Sequence, residues 1–180
     1  MQTIINKAKQ IKLLVLDVDG VLTNGLIFYS ADGAEMKGFH IHDGLGIKLL
    51  KKAGIQVAII SGKKSAAVEK RMQDLRIDHV YLGHENKLPA YEDLINRVQL
   101  DDHEIAYMGD DLPDLPLLQR AGLAITVPQA PDIIKQYTDI ITTKKGGKGA
   151  VREVCELILT AQGRYQAIIQ SYLTQPSHID

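Results

Sequence analysis

The chain has 180 residues, 45% apolar and 24% charged, the balance of an ordinary soluble globular chain long enough to bury a sizeable core in one domain spanning 1–180. A formal net charge of −1 argues against a nucleic-acid or membrane-surface partner. A single cysteine excludes an intramolecular disulfide and fits a reducing, cytoplasmic setting, and neither a signal-peptide core nor a bilayer-spanning apolar run is present.

Apolar, largely β-branched runs predict strands at 12–17 (KLLVLD), 55–60 (IQVAII), 79–82 (HVYL), 104–108 (EIAYM), 123–127 (LAITV) and 139–142 (DIIT). Helical spacing lies between them, at Val68, Met72 and Leu75, at Leu88, Tyr91, Ile95 and Val98, and at Val151, Val154, Cys155, Ile158 and Leu159. Strands alternating with helices predict an α/β fold, a Rossmann-like doubly wound parallel sheet, whose ligands bind at the carboxyl ends of the strands. One segment breaks the alternation. Residues 25–43 read as a β-hairpin, with arms Leu26–Ser30 and Glu35–Ile41 about an Asp32-Gly33 turn. Its Ile27, Phe28, Tyr29, Met36 and Phe39 require a packing partner, since an isolated hairpin is marginal in water. The tail from about 164 to 180 is expected to be loosely held.

The first strand ends on two acids, Asp17 and Asp19, followed by Gly20. Residues two apart on a strand share a face, so the pair can converge on a cation or a phosphate, and Gly20 permits a sharp turn that exposes backbone amides. An Asx turn explains an isolated DxDG equally well. Three later features favour chemistry. Ser61 and Gly62 close the second long strand, Lys87 opens a helix after the third, and GDDLPD places Asp110, Asp111 and Asp114 after the fourth. Carboxylates, a hydroxyl and a cation at one sheet edge are the groups that phosphoryl transfer uses.

The order DVDGVLT, ISG, Lys87, GDDLPD resembles the haloacid dehalogenase (HAD) superfamily of phosphohydrolases. The resemblance implies Asp17 as nucleophile, Asp19 as general acid/base, and Ser61 and Lys87 as phosphoryl ligands. It further implies Mg²⁺ held by Asp17, Asp19 and Asp110, with Asp111 and Asp114 supporting. Forty-four positions separate Asp17 from Ser61 and twenty-six separate Ser61 from Lys87, which leaves no room for a cap domain. DVDGVLTNG, DGLGIKLL, YMGDDLPDLPLL and GGKGAVREVCELIL are similar to the capless family of 3-deoxy-D-manno-octulosonate 8-phosphate (KDO 8-phosphate) phosphatases. That family implies release of KDO for lipopolysaccharide inner-core synthesis, and a homotetramer in which neighbours cover the active sites.

The chain departs from the family pattern at His42, Lys63, Lys64 and Lys148, where arginines are usual. Arginine and lysine are not equivalent where a planar fork grips an anion, so the 9-phosphate of a nine-carbon 2-keto sugar acid is the alternative substrate. A non-catalytic oligomerisation module is the other rival. Candidate substrate contacts are Gly20, Gly62, Lys63, His42, Asp43, Gly44 and Lys148. The His40–His42–Asp43 triplet is read as polar strand-end residues near the substrate rather than a metal-site fragment, and Cys155 as an inert core thiol.

Overall fold

A computed structural model describes residues 2–174. The chain runs α1 (Gln2–Gln10), β1 (Leu13–Leu16), β2 (Phe28–Tyr29), β3 (Glu35–Met36), α2 (Ile41–Lys52), β4 (Gln56–Ser61), α3 (Ala66–Asp74), β5 (His79–Leu82) and α4 (Leu88–Val98). It continues with β6 (Ile105–Met108), α5 (Leu115–Arg120), β7 (Leu123–Thr126), α6 (Asp132–Lys135), β8 (Ile140–Ile141), α7 (Ala150–Ala161) and α8 (Tyr165–Leu173).

Six parallel strands form one sheet in the order β5-β4-β1-β6-β7-β8. All six predicted strands are found within two residues of the expected bounds. Leu13–Leu16 is buried throughout, as a central strand covered on both faces must be. Crossovers from β1 run first towards β4 and β5, then back towards β6, β7 and β8. Right-handed connections place the two sets of helices on opposite faces: α1, α2 and α7 pack together, and α4 packs on α5. The Val151, Val154, Cys155, Ile158 and Leu159 stripe of α7 is fully covered, and each such side chain contributes about 1.5–3 kcal/mol of burial. Among the described residues no cap domain is inserted between the strands.

Two expectations change. The hairpin turns where predicted, with Gly33 at φ +84, but its strands are two residues each and the second arm does not reach Ile41. Helix α2 takes over there, starting after His40, because Ile47 and Leu50 supply a 3.6-residue stripe that buries more apolar surface than an extended arm would. His42 and Asp43 therefore lie, with Gly44, in the first turn of a helix, and not at a strand end as expected of the two. The tail is not all loose: α8 covers Tyr165–Leu173, though none of its residues is fully buried, and 175–180 lie outside the described residues. Helix α1 was not anticipated, although Ile4, Ala8 and Ile11 carry an apolar stripe onto the core.

Candidate active site

β1 lies between β4 and β6, where the crossover direction reverses. At that switch point the strand ends splay and leave a crevice. Asp17 follows β1 directly, and its amide donates to Met108 O at 2.9 Å, which fixes its backbone to β6. Ser61 closes β4, while Gly109 and Asp110 follow β6. Lys87 caps α4 after β5, with Pro89 in the helix's first turn, where proline's missing N–H costs nothing.

Lys87 Nζ donates to Asp17 Oδ1 and to Asp114 Oδ1, both at 2.6 Å. The three residues are buried, at 4%, 5% and 1% exposure. Burial alone would lower the Lys87 ammonium, but the two carboxylates outweigh it and hold the ammonium above the usual lysine range. Asp17 is pushed up to about 7, first by burial and then by Asp114, against the pull of Lys87. Asp110 is pushed up to about 8 by burial, then by Asp17 and Asp114. One ammonium thus faces three crowded carboxylates.

Asp114 is already saturated. Its Oδ1 also accepts from the Tyr107 hydroxyl at 2.5 Å, and its Oδ2 accepts the amides of Asp110 at 2.9 Å and Asp111 at 3.1 Å. It shapes the loop after β6 and orients Lys87. Asp111 caps the same loop by accepting Leu112 N at 2.8 Å. Carboxylate atoms of Asp17, Asp110 and Asp114 lie within 4.8 Å of one another. Since both Asp114 oxygens are occupied, Asp17 and Asp110 are left to hold a hard cation, which prefers oxygen ligands. Gly20 makes room for Asp110: its φ is +96, and a Cβ there would fall 1.9 Å from Asp110 Oδ2.

The crevice is a cavity of about 440 Å³ lined by Asp17, Asp19, Ser61, Gly62, Lys63, Lys87, Asp110, Asp111 and Asp114, together with Gly25, Ile27, Glu85 and Pro113. The fold therefore brings nine of the predicted site residues to one place, with Gly20 beneath them. It does not bring His42, Asp43, Gly44 or Lys148 there. Asp43 is buried between helices, where its Oδ1 accepts Arg152 N at 2.8 Å in the first turn of α7. Gly44 is required by the close approach of Arg71, whose Nη2 would meet a Cβ at 2.3 Å. For these two the expectation of substrate contact is corrected: they join helices. His42 and Lys148 are exposed outside the cavity. The glycine-rich loop carrying Lys148 instead packs against the loop after β1, with Gly147 N donating to Val21 O at 3.0 Å. Gln129 ties the two loops, donating to Gly20 O at 2.9 Å and accepting from Gly146 N at 3.3 Å.

Sequence reasoning did not single out Tyr107, Gln129 or Lys37. The Lys37 ammonium reaches in from the hairpin and contacts both Asp19 oxygens at 2.7 Å. Its one sequence signal is a lysine on the hairpin arm among apolar neighbours.

A doubly wound sheet with this acid–lysine–acid crevice defines a phosphohydrolase fold of the haloacid dehalogenase type. Residues 79–154 match the family of haloacid dehalogenase-like hydrolases. The chain is 45% identical over 161 residues to the 3-deoxy-D-manno-octulosonate 8-phosphate phosphatase KdsC of Escherichia coli (strain K12), covering 89% of this chain and 86% of that protein. Its structure is similar to that of the phosphatase of the same name from Moraxella catarrhalis in complex with magnesium ion, phosphate ion and KDO (TM-score 0.93, 46% identity, 96% of this chain and 99% of that one). It also resembles the cobalt-bound deoxy-D-mannose-octulosonate 8-phosphate phosphatase of Haemophilus influenzae (TM-score 0.89, 41% identity, 93% and 99%). The chain belongs to the family of 3-deoxy-D-manno-octulosonate 8-phosphate phosphatases.

Proposed function

We propose that this protein is a Mg²⁺-dependent phosphatase that hydrolyses KDO 8-phosphate to KDO and inorganic phosphate, in lipopolysaccharide inner-core synthesis. The observation that carries the reading is the buried Asp17–Lys87–Asp114 chain at the switch point, with Asp110 beside it and Asp19 at the cavity wall. The relatives' names supply the sugar.

In this reading an Asp17 oxygen attacks phosphorus and the bond from phosphorus to the sugar oxygen breaks. Asp19 gives its proton to the leaving oxygen. Ser61 and Lys87 hold the phosphoryl oxygens while the aspartyl-phosphate exists. Asp19, now a carboxylate, takes a proton from water as that water attacks phosphorus, which frees phosphate and restores Asp17. Asp17, Asp110 and the Asp19 carbonyl would hold Mg²⁺, which would supply positive charge for the phosphoryl oxygens. Gly62 and Lys63 line the entrance and meet the phosphate or sugar.

The assembly in this proposal is a cytoplasmic homotetramer. Supporting it, Phe28, Tyr29 and Met36 on the hairpin are each more than half exposed, an apolar patch of the kind that marks an interface. A neighbour's surface then covers the cavity, and the exposed Lys148 serves the neighbour's site. No helix among the described residues is long and apolar enough to cross a membrane.

Phosphate release with Mg²⁺ tests the reading, comparing KDO 8-phosphate with the 9-phosphates of KDN and N-acetylneuraminate. A kcat/KM preference for the eight-carbon substrate is expected. A preference for a nine-carbon substrate moves the assignment to nonulosonate synthesis, and no turnover of any of them refutes catalysis.

A further inference from the structure

Asp19 owes its position to the hairpin. Lys37, one residue beyond β3, has a fully covered side chain, and its Nζ lies 2.7 Å from both Asp19 oxygens. Glu35 Oε1 stands 3.6 Å behind that ammonium. Glu35 in turn accepts a hydrogen bond of 2.5 Å from the Ser65 hydroxyl. Ser65 precedes α3 in the extended conformation of a helix cap, yet its side chain makes no capping bond. A serine there ordinarily accepts a backbone amide of the first turn, worth about 1 kcal/mol. This one, buried at 6% exposure, donates its hydroxyl to the hairpin instead. Local rules are broken most often at functional sites. The result is a file of polar groups, Ser65–Glu35–Lys37–Asp19, from the start of α3 to the wall of the cavity.

We propose that Lys37 is the positioning residue of the acid/base Asp19, held in place by Glu35 and Ser65, so that the hairpin is part of the catalytic apparatus. This rests on the proposed phosphatase reading. An aspartate side chain turns freely about two bonds, and proton transfer to a leaving oxygen needs hydrogen-bond reach in one orientation. Lys37 fixes that orientation. When the P–O bond breaks and the Asp19 proton passes to the sugar oxygen, the carboxylate left behind already faces a buried ammonium. The same carboxylate is then the base that takes the proton of the attacking water.

The test separates an acid-positioning role from a structural one through the leaving group. An alkoxide must be protonated as it leaves; p-nitrophenolate need not be. Leaving-group release is measured in single turnover, with enzyme in excess, for KDO 8-phosphate and for p-nitrophenyl phosphate. Lys37→Met is expected to slow sugar release by about 30-fold or more, a part of the roughly 10²–10⁴-fold that a general acid contributes, while the loss on p-nitrophenyl phosphate is at least ten times smaller. Lys37→Arg, which keeps the charge, is expected to recover part of the sugar rate. Glu35→Gln is expected to show the same contrast at smaller size, and it decides the matter should Lys37→Met fail to fold. Equal losses on both substrates, or no loss on the sugar phosphate, overturn the proposal. Asp19→Asn separates the two readings: a steep leaving-group contrast there with none in Lys37→Met removes Lys37 alone, whereas no contrast in Asp19→Asn removes the acid role and the proposal with it.

Discussion

Magnesium affinity is expected to climb steeply with pH, because the two carboxylates left to hold the ion are the two whose protons are hardest to remove. Asp17 sits at about 7 and Asp110 at about 8, both raised chiefly by burial and then by neighbouring acids. An unperturbed aspartate is near 3.9. A cation binds the ionised forms only, so binding must displace whatever protons remain. Between pH 6 and pH 8 the fraction with both groups ionised rises on the order of 500-fold, about 4 kcal/mol in apparent affinity. Calorimetric titration of Mg²⁺ into the metal-free protein, repeated in buffers of different ionisation enthalpy, reads both quantities. Close to two protons released per ion are expected at pH 6 and fewer than one at pH 8. The stability sign follows. The folded state keeps protons that the unfolded chain has already lost, so the metal-free protein loses stability as pH rises from about 4 towards 8. The rise in Tm on adding Mg²⁺ should therefore grow over the same range. An affinity constant across pH 6 to 8 with no proton release would refute the reasoning.

Other perturbations follow from the same geometry. Asp17→Asn should abolish phosphate release while the proposed oligomer, sized by light scattering, is the same as in the unmutated protein; a smaller assembly in the variant alone would show that Asp17 serves assembly instead. Lys87→Met leaves Asp17 and Asp114 buried without their shared ammonium, and should cost about 3–5 kcal/mol in urea unfolding as well as activity. Gly20→Ala puts a methyl into the Asp110 carboxylate at a positive φ, so Mg²⁺ affinity should fall at least about tenfold while the sheet still folds, as judged by circular dichroism. Burial raises the Cys155 thiol, so iodoacetamide should label it only after denaturation.

The sheet was legible because each strand is a short apolar run bounded by turn residues, and tertiary packing agrees with that local preference. The crevice was legible for a related reason: Asp17, Ser61, Lys87 and Asp110 each stand at the carboxyl end of such a run or just beyond, so placing the strands placed the residues. Lys37 and Tyr107 were not. Lys37 reaches Asp19 only because the hairpin folds back onto the loop after β1, and Tyr107 reads as an ordinary core position in β6. Asp43 and Gly44 failed in the opposite direction. An acid read at a strand end and a glycine beside it look like ligand contacts, but the acid caps another helix and the glycine admits Arg71. Nothing within either segment announces the helix that comes to meet it.

The groups that make the cavity are joined across long stretches of chain. Lys87 is 70 residues from Asp17, and Gln129 is 109 from the Gly20 carbonyl it ties down. Loops of that length close late and slowly, and parallel pairing gives little reward until they do. A chain emerging from the ribosome therefore exposes Asp17 without its ammonium until Lys87 has been made, whereas the partner of Asp19, Lys37, follows within 18 residues. The β1 strand must wait for β6 before it is covered on both edges. The cavity is thus completed piecewise, and any fragment ending before Gln129 lacks the side chain that ties the loop after β1 to the glycine-rich loop.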